Sequence, residues 1–327
     1  MITMNLARII FRNWQTLCGV IIGAAFVIWI QRQFGWLEVL QSWRQLSFVG
    51  FASALFLMFT TYVLRAVRVF DYFHGEMRGQ FATCLRLTVL HNFFNNLLPA
   101  RSGELAFPIL MRDYFGVPVE KSLASLLWMR FLDLHFLCVV AGFVLLFGLD
   151  FSMFLLPILI IFALLPLIFF ALQQKIKSLL TDKNGFVFNK LRKIVEGLPS
   201  NFNVFLRAWF WTVLNWLTKL LVFAWLLMNF AETSYSTAVL SSLSGELSSV
   251  LPVHGFAGIG TYEAAVLAGL LSSGANLKDA TQAAVNLHIF TLTTSFVSAL
   301  IALFLPIKHY SKVANESLKD SSLIQKV

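Results

Sequence analysis

Long runs of apolar residues alternate with short polar connectors along most of this chain. The runs fall at residues 14–34, 48–67, 121–149, 151–172, 205–230 and 280–307. Each has about 20 residues or more, the helix length needed to cross roughly 30 Å of hydrocarbon. They are continuous, whereas the strands of a membrane barrel alternate, and a helix satisfies its own backbone polar groups in lipid. The pattern predicts an all-α polytopic membrane protein with about six full spans.

A short amphipathic stretch follows the first run. Its apolar residues recur at helical spacing, with polar residues between them: Trp36, Leu37, Leu40, Trp43 and Leu46. An isolated apolar stripe of this kind is typical of a helix that lies flat in the membrane interface. We therefore predict an interfacial helix before the second span, and a polar connector at residues 65–78 after it.

Two further segments are apolar but broken. The first covers residues 81–115 and breaks at the sequence Pro-Ala-Arg-Ser-Gly-Glu, and the second covers residues 237–272 and breaks after Pro252 in a glycine-rich turn. Polar residues and broken backbone at membrane depth are tolerated only where protein shelters them or where they line a cavity. We predict two re-entrant helical hairpins, with two short full crossings as the alternative for the first.

The two broken segments resemble each other. Residues 95–99 resemble residues 248–252, and Glu104 and Glu263 each begin the second half of their segment. Continuing this alignment places Gly116 opposite Gly274 and Arg130 opposite His288. The sequence therefore predicts a repeat of one helical unit.

The basic connectors predict that the repeat is inverted. Residues 175–207 are the most basic loop, which the positive-inside rule assigns to the cytoplasm together with both termini. An even number of crossings must then separate the N-terminus from this loop, so the hairpins enter from opposite sides of the bilayer, and a site between them lies near the midplane. We divide the chain accordingly into an anchor span with the interfacial helix (1–47), a first repeat (48–149), a linking span with the basic loop (150–200), a second repeat (201–307) and a polar tail (308–327).

Composition agrees with a membrane protein and excludes several other classes. Hydrophobic residues make up 58% of the chain and charged residues 13%, about half the charged share of a soluble domain. The net charge of +9 is spread over the short connectors, whereas a nucleic-acid-binding protein concentrates its basic residues on one soluble face. The three cysteines lie in apolar runs and the six histidines are scattered. We predict no metal site and no cofactor, and we expect an uncleaved N-terminal anchor.

The motifs of the first hairpin and of the span after it resemble a known family. The pattern Leu-Leu-Pro-x-x-x-Gly-Glu, followed by Arg-Phe-Leu-Asp at residues 130–133, is similar to the flippase-like membrane region of lysylphosphatidylglycerol synthases. The second hairpin, with Gly-Ile-Gly at residues 258–260 and Glu-Ala-Ala at residues 263–265, resembles that family's second turn. The family usually has arginines where this chain has Phe107 and His288.

The resemblance covers residues 31–306 and implies a function. It implies translocation of lipids between leaflets, or an accessory role in lipid or glycolipid handling, and we expect the stand-alone form without a synthase domain. Our hypothesis is a transporter that moves an anionic phospholipid or a polyprenyl-phosphate-type lipid across the bacterial inner membrane. The alternatives are a membrane enzyme, with Glu104 and Asp133 as its acid and base, and an accessory partner of a lipid-modifying enzyme. We expect no enzymatic activity and no nucleic-acid partner.

Charged residues inside the apolar segments are the candidate site, because a charge at membrane depth is costly. Arg130 and Asp133 lie three residues apart on one helix face and form a structural ion pair, or Arg130 binds a lipid phosphate. Glu104 and Glu263 cap their half-helices or couple transport to protons or cations. Arg101, at the first tip, suits a phosphate. The predicted substrate-binding set is Asn95, Asn96, Arg101, Glu104, Arg112, Arg130, Asp133, Glu246, His254, Tyr262 and Glu263.

Overall fold

A computed structural model describes residues 28–33, 35–148, 153–180, 185–249 and 256–307, and every regular element in these ranges is helical. Five of the described helices are long and apolar enough to cross a membrane. They cover Phe48–Tyr72, Val119–Gly148, Met153–Leu179, Phe202–Phe230 and Leu277–Leu303. The all-α membrane fold is thereby confirmed. The first predicted span, at residues 14–34, lies mostly outside the described residues, as does the polar tail at 308–327.

After a short helical stretch at residues 28–33, the described part of the first half continues with five helices and the turns between them. These are α1 (Trp36–Gln41), a 3-10 turn at Ser42–Gln45, α2 (Phe48–Tyr72), α3 (Phe81–Leu97), a 3-10 turn at Pro99–Leu105, α4 (Ala106–Phe115) and α5 (Val119–Phe143), which ends in a π-helical turn at Val144–Gly148. Ser47 caps α2 by accepting a hydrogen bond from the Gly50 amide, and α4 ends where Gly116 adopts a left-handed conformation with φ of 67°, which glycine adopts without a steric penalty.

The second half repeats this order. Three described helices connect the two halves: α6 (Leu156–Ala163), α7 (Leu165–Leu180) and α8 (Phe186–Glu196). The second half then consists of α9 (Phe202–Phe230), α10 (Tyr235–Ser248), a 3-10 turn at Phe256–Gly258, α11 (Thr261–Leu271) and α12 (Leu277–Leu303). The run from α9 to α12 therefore matches the run from α2 to α5, a long helix, two shorter helices joined by a turn, and a second long helix. Gly274, which the alignment places opposite Gly116, also has a positive φ, 82°.

The two halves pack into one bundle, in which helices of the first half contact helices of the second. Helix α2 packs along α9, α3 of the first hairpin packs against α12, and α10 of the second packs against α5. The 3-10 turns of the two hairpins contact each other as well. The two breaks are therefore close in space where the structure describes them, and residues 250–255 of the second break lie outside the described part of the chain.

Small residues allow this close packing. A Cβ atom added to Gly269 of α11 would lie 2.6 Å from the Ser241 Cα of α10, and one added to Gly103 would lie 2.4 Å from the Asn95 backbone nitrogen. Neither distance is possible for a real side chain, so glycine is required at both places. Small residues at helix contacts are usual in membrane bundles, where they let backbones approach.

One predicted helix boundary was wrong. The second span does not end at residue 67, because α2 continues to Tyr72 and carries Arg68 into the bundle. The predicted amphipathic stretch forms α1 and a 3-10 turn at Ser42–Gln45, and the Trp43 indole in this turn donates to Asn286 Oδ1 at 2.8 Å. Within the basic connector, residues Phe186–Glu196 form α8.

Candidate functional site

A polar cavity of about 310 Å³ lies between α2, α3, α5, α9 and α10. Five of the predicted residues line it: Asn95, Asn96, Arg130, Asp133 and Glu246. Its apolar wall comes from α5 and includes Leu127 and Leu134, whose exposed fractions are 60% and 40%. The cavity therefore borders the apolar outer surface of the bundle on one side and a charged interior on the other.

Asp133 is the centre of the charged interior. It accepts two hydrogen bonds from the Arg68 guanidinium, at 2.6 and 3.3 Å, and one from Trp216 Nε1 at 2.9 Å. Arg130 is a more distant partner at 3.4 Å. The predicted Arg130–Asp133 ion pair is therefore present, and Arg68 from another helix adds a shorter contact that was not predicted.

Arg65 is the cation of α2 that faces the cavity. Its described hydrogen bonds go to two uncharged amide oxygens, Oδ1 of Asn92 and Oδ1 of Asn215 at 3.3 Å. Its guanidinium carbon lies 5.5 Å from the centre of the Trp216 ring, within the range of a cation–π interaction. These contacts orient the guanidinium but do not neutralise its charge.

Lys219 is the corresponding cation of α9. Its ammonium group lies 2.7 Å from Glu246 Oε1, and both residues are 6% exposed. The same ammonium lies 5.1 Å from the centre of the Trp216 ring and 5.0 Å from that of Phe223. Lys219 and Glu246 therefore form a closed ion pair in the wall of the cavity.

Each hairpin has a glutamate at its break that contacts a basic side chain further along the chain. Glu104 Oε1 lies 3.0 Å from Arg130 Nε, and its other oxygen lies 3.2 Å from His91 Nε2. Glu263 Oε1 lies 2.7 Å from His288 Nδ1. Arg130 and His288 are opposite each other in the alignment, so the two halves make the same contact with different bases.

Glu263 also fixes the second turn. Its Oε2 accepts a hydrogen bond from the Gly260 amide at 2.7 Å, at the start of α11. The Tyr262 ring stacks on the His288 ring with centroids 4.5 Å apart. The capping role predicted for Glu263 is confirmed by this geometry, and a histidine that the sequence reasoning had left out of the site completes the arrangement.

Positive charge exceeds negative charge around the cavity. Asp133 and Glu246, with Glu104 behind Arg130, supply three carboxylates. Against these stand four cations: Arg65, Arg68, Arg130 and Lys219. Counted over the side chains that the structure describes, the interior thus holds a formal surplus of one positive charge, and Arg65 is the cation whose described hydrogen bonds are all to neutral groups.

Six of the predicted residues are not among those described as lining the cavity. Glu104, Tyr262 and Glu263 make the contacts given above. The Arg112 side chain is 59% exposed and pairs with its neighbour Asp113 at 2.9 Å. The Arg101 backbone belongs to the first 3-10 turn, but its side chain and all of His254 lie outside the described part of the chain.

The sequence reasoning missed Arg65, Arg68 and Lys219. Lys219 stands in the apolar run at residues 205–230, and that signal alone was enough to find it, because a lysine within a span is rare and usually functional. The two arginines were assigned to a connector because they lie near the end of an apolar run.

Comparison with known proteins identifies one family. The family described as "Lysylphosphatidylglycerol synthase TM region" matches residues 16–299. A search of curated proteins finds no match.

Proposed function

The chain belongs to the lysylphosphatidylglycerol synthase TM-region family and is thus a multi-pass membrane protein of a lipid-modification and flippase superfamily, and from this premise we propose that it transports lipid. The transported lipid is an anionic phospholipid or a polyprenyl-phosphate-type lipid, which crosses the bacterial inner membrane without chemical change. The observation that carries the proposal is the surplus cation of the cavity, Arg65.

A phosphate is the ligand that best fits this surplus. A charged side chain in a desolvated interior is costly unless an opposite charge accompanies it. The planar guanidinium of Arg65 matches two phosphate oxygens, and charge-assisted hydrogen bonds of this kind are the stronger class. The amides of Asn92, Asn95 and Asn96 offer further donors along the same wall. A headgroup phosphate supplies the anionic partner that the described hydrogen bonds of Arg65 lack.

The apolar wall supports a lipid rather than a free anion. Leu127 and Leu134 line the cavity and are also exposed on the outside of α5. A lipid placed here keeps its acyl or isoprenoid chains against this wall and in the bilayer, while its headgroup occupies the charged interior. The protein then shelters the polar headgroup, which is the costly part of the lipid to transfer through hydrocarbon.

The two halves of the chain support an inverted repeat. In each half, a basic residue of the long helix contacts a hairpin residue 27 positions later. Arg65 contacts Asn92, and Lys219 contacts Glu246. With both termini cytoplasmic, the first hairpin enters from the cytoplasm and the second from the opposite side. The headgroup cavity then lies between the hairpins near the midplane, as in transporters built from inverted repeats.

Reconstituted protein tests this proposal. Proteoliposomes should translocate fluorescent phosphatidylglycerol much faster than fluorescent phosphatidylcholine, with dithionite quenching as the readout. The variant Arg65→Gln should lower the phosphatidylglycerol rate by roughly tenfold or more, since one charge-assisted contact is worth about 1.5–3 kcal/mol. Arg207→Gln is the matched control, because Arg207 is 55% exposed and pairs with Asp71 at 3.2 Å, and its rate should equal that of the wild type.

Two results would contradict the proposal. Equal translocation of the two lipids would remove the role of the surplus cation, and a wild-type protein without translocation would favour the accessory-partner alternative. Mass spectrometry of the lipids after the assay separates a transporter from an enzyme, because a transporter leaves the mass of every lipid unchanged.

A further inference from the structure

A second, smaller pocket adjoins the headgroup cavity. It has a volume of about 40 Å³ and is lined by Tyr262, His288 and Thr291 of the second half. It shares Lys219 and Glu246 with the larger cavity. One water needs about 10–15 Å³, so this pocket has room for water between the His288 ring and the Glu246 carboxylate.

The closed pair in the shared wall competes with an anionic ligand. Lys219 contacts Glu246 at 2.7 Å, and both line the cavity in which the headgroup is proposed to bind. A phosphate that binds the Lys219 ammonium takes the place of the carboxylate. Glu246 then remains as a buried carboxylate without its cation, which is the unfavourable state of a broken buried ion pair.

The other charged groups around Glu246 do not replace Lys219. Arg65 from α2 is the second cation near it, and it serves the same headgroup. The remaining titratable groups around the two pockets come from α2, α5, α11 and α12: Tyr62, Asp133, Tyr262, Glu263 and His288. Asp133 and Glu263 are carboxylates, which cannot take the place of the Lys219 ammonium. Taking up a proton removes the charge of the separated Glu246 carboxylate.

On the basis of the proposed function, we infer that Glu246 is a proton-binding site coupled to the lipid headgroup. The anionic headgroup takes Lys219 and one proton adds to a Glu246 carboxylate oxygen, so that one negative lipid and one proton are bound together. When the lipid leaves, the proton leaves as well and the Lys219–Glu246 pair forms again. The proton comes from the aqueous phase through the small pocket, which both His288 and Glu246 line. Lipid movement is therefore driven by a pH gradient and is electrically neutral.

Lipid distribution at equilibrium tests the coupling. Wild-type proteoliposomes with fluorescent phosphatidylglycerol are given a difference of one pH unit at zero membrane potential, and the ratio of the label between leaflets is measured at the plateau. One-to-one coupling shifts this ratio by up to about tenfold, the equilibrium equivalent of one pH unit. The label should accumulate in the leaflet on the alkaline side. Glu246→Gln should give an even distribution, and Glu232→Gln, which removes an exposed carboxylate, should keep the wild-type shift.

The outcomes separate this inference from the proposed function. A wild-type protein that translocates phosphatidylglycerol but shows no shift would overturn the coupling and leave transport intact, whereas no translocation at all would overturn transport. A shift in Glu246→Gln equal to that of the wild type would show that another group binds the proton. If this variant does not fold, the double variant Lys219→Gln/Glu246→Gln, which removes both charges, must also lack the shift.

Discussion

The base on the long helix of the first half, Arg65, meets an uncharged amide of its hairpin, whereas its counterpart in the second half, Lys219, meets a carboxylate. The break glutamates differ in the same direction: the Glu104 side chain is 20% exposed, and that of Glu263 is 7% exposed. The same order of helices therefore carries two differently charged halves. The first half is open, in that its cation Arg65 contacts uncharged groups, and the second half is closed, in that its cation Lys219 is paired with a carboxylate. The comparison shows that the backbone determines where charged side chains lie, whereas the identity of single side chains determines which charges remain available to a ligand.

The largest effect on stability is expected at Asp133, which accepts hydrogen bonds from Arg68 of the first half and Trp216 of the second. Asp133→Asn removes the carboxylate that neutralises Arg68, whose side chain is 7% exposed. Leaving a buried cation unpaired should lower the free energy of unfolding by about 3 kcal/mol or more. Thermal unfolding in detergent measures this loss. Adding Arg68→Met should recover part of it.

Asp113→Asn is the control for this change. It also removes a carboxylate paired with an arginine, but in an exposed pair, which contributes at most about 1 kcal/mol. Equal destabilisation by the two variants would mean that the buried pair has no special role.

The next effect is expected at the first turn. Gly103→Ala would place a Cβ 2.4 Å from the Asn95 nitrogen and the Phe94 carbonyl carbon. The backbone must shift to avoid this overlap, at a cost of about 1–3 kcal/mol, and the contact between the two turns should loosen with it. Gly75→Ala meets no atom within 4 Å and should leave thermal stability unchanged. A stable Gly103→Ala protein with full lipid translocation would contradict the close packing of this turn.

A smaller difference is expected between the two break glutamates. Glu263→Gln weakens the contacts to His288 and to the Gly260 amide, and it should cost about 1.5 kcal/mol, the lower value for a hydrogen bond to a charged group. Glu104→Gln should cost less, because Glu104 is more exposed and Arg130 keeps its contact with Asp133. Parallel melting curves test the order. The reverse order would break the contrast between an open and a closed half.

The smallest effect concerns the start of the last long helix. Asn276 accepts a hydrogen bond from the Lys278 amide at 2.8 Å and caps α12, whereas the matching position before α5 is Pro118, with no side-chain cap. Asn276→Ala should lower stability by about 1 kcal/mol. Pro118→Ala loses no cap, and its melting curve serves as the comparison. No change in Asn276→Ala would mean that water replaces the cap.

The five described long helices and the two broken helical segments could be predicted from the sequence because hydrophobic length and helix breaks are local signals. The first hairpin was predicted with a break at residues 99–104, and the structure has its 3-10 turn at Pro99–Leu105. The glutamates and asparagines of the site stood out for the same reason, as polar residues in apolar segments.

The pairing inside the cavity was not predictable in this way. Arg68 and Asp133 are 65 residues apart, and their contact depends on how α2 crosses α5, a tertiary feature without a local pattern. Sequence reasoning therefore preferred the neighbour at i−3, Arg130, whose spacing on the helix is favourable. It also ended α2 too early, because a charge that is neutralised by a distant helix looks the same in sequence as a charge in water.

The position of Trp216 gives the chain a built-in optical probe. Its indole nitrogen donates to Asp133, and Arg65 and Lys219 both lie within 6 Å of its ring. Indole fluorescence responds to nearby charge, so an anion that enters between these two cations should change the emission of this one tryptophan. The difference between the wild-type spectrum and that of Trp216→Phe would then follow occupancy of the cavity in unlabelled protein, in real time and in a native bilayer.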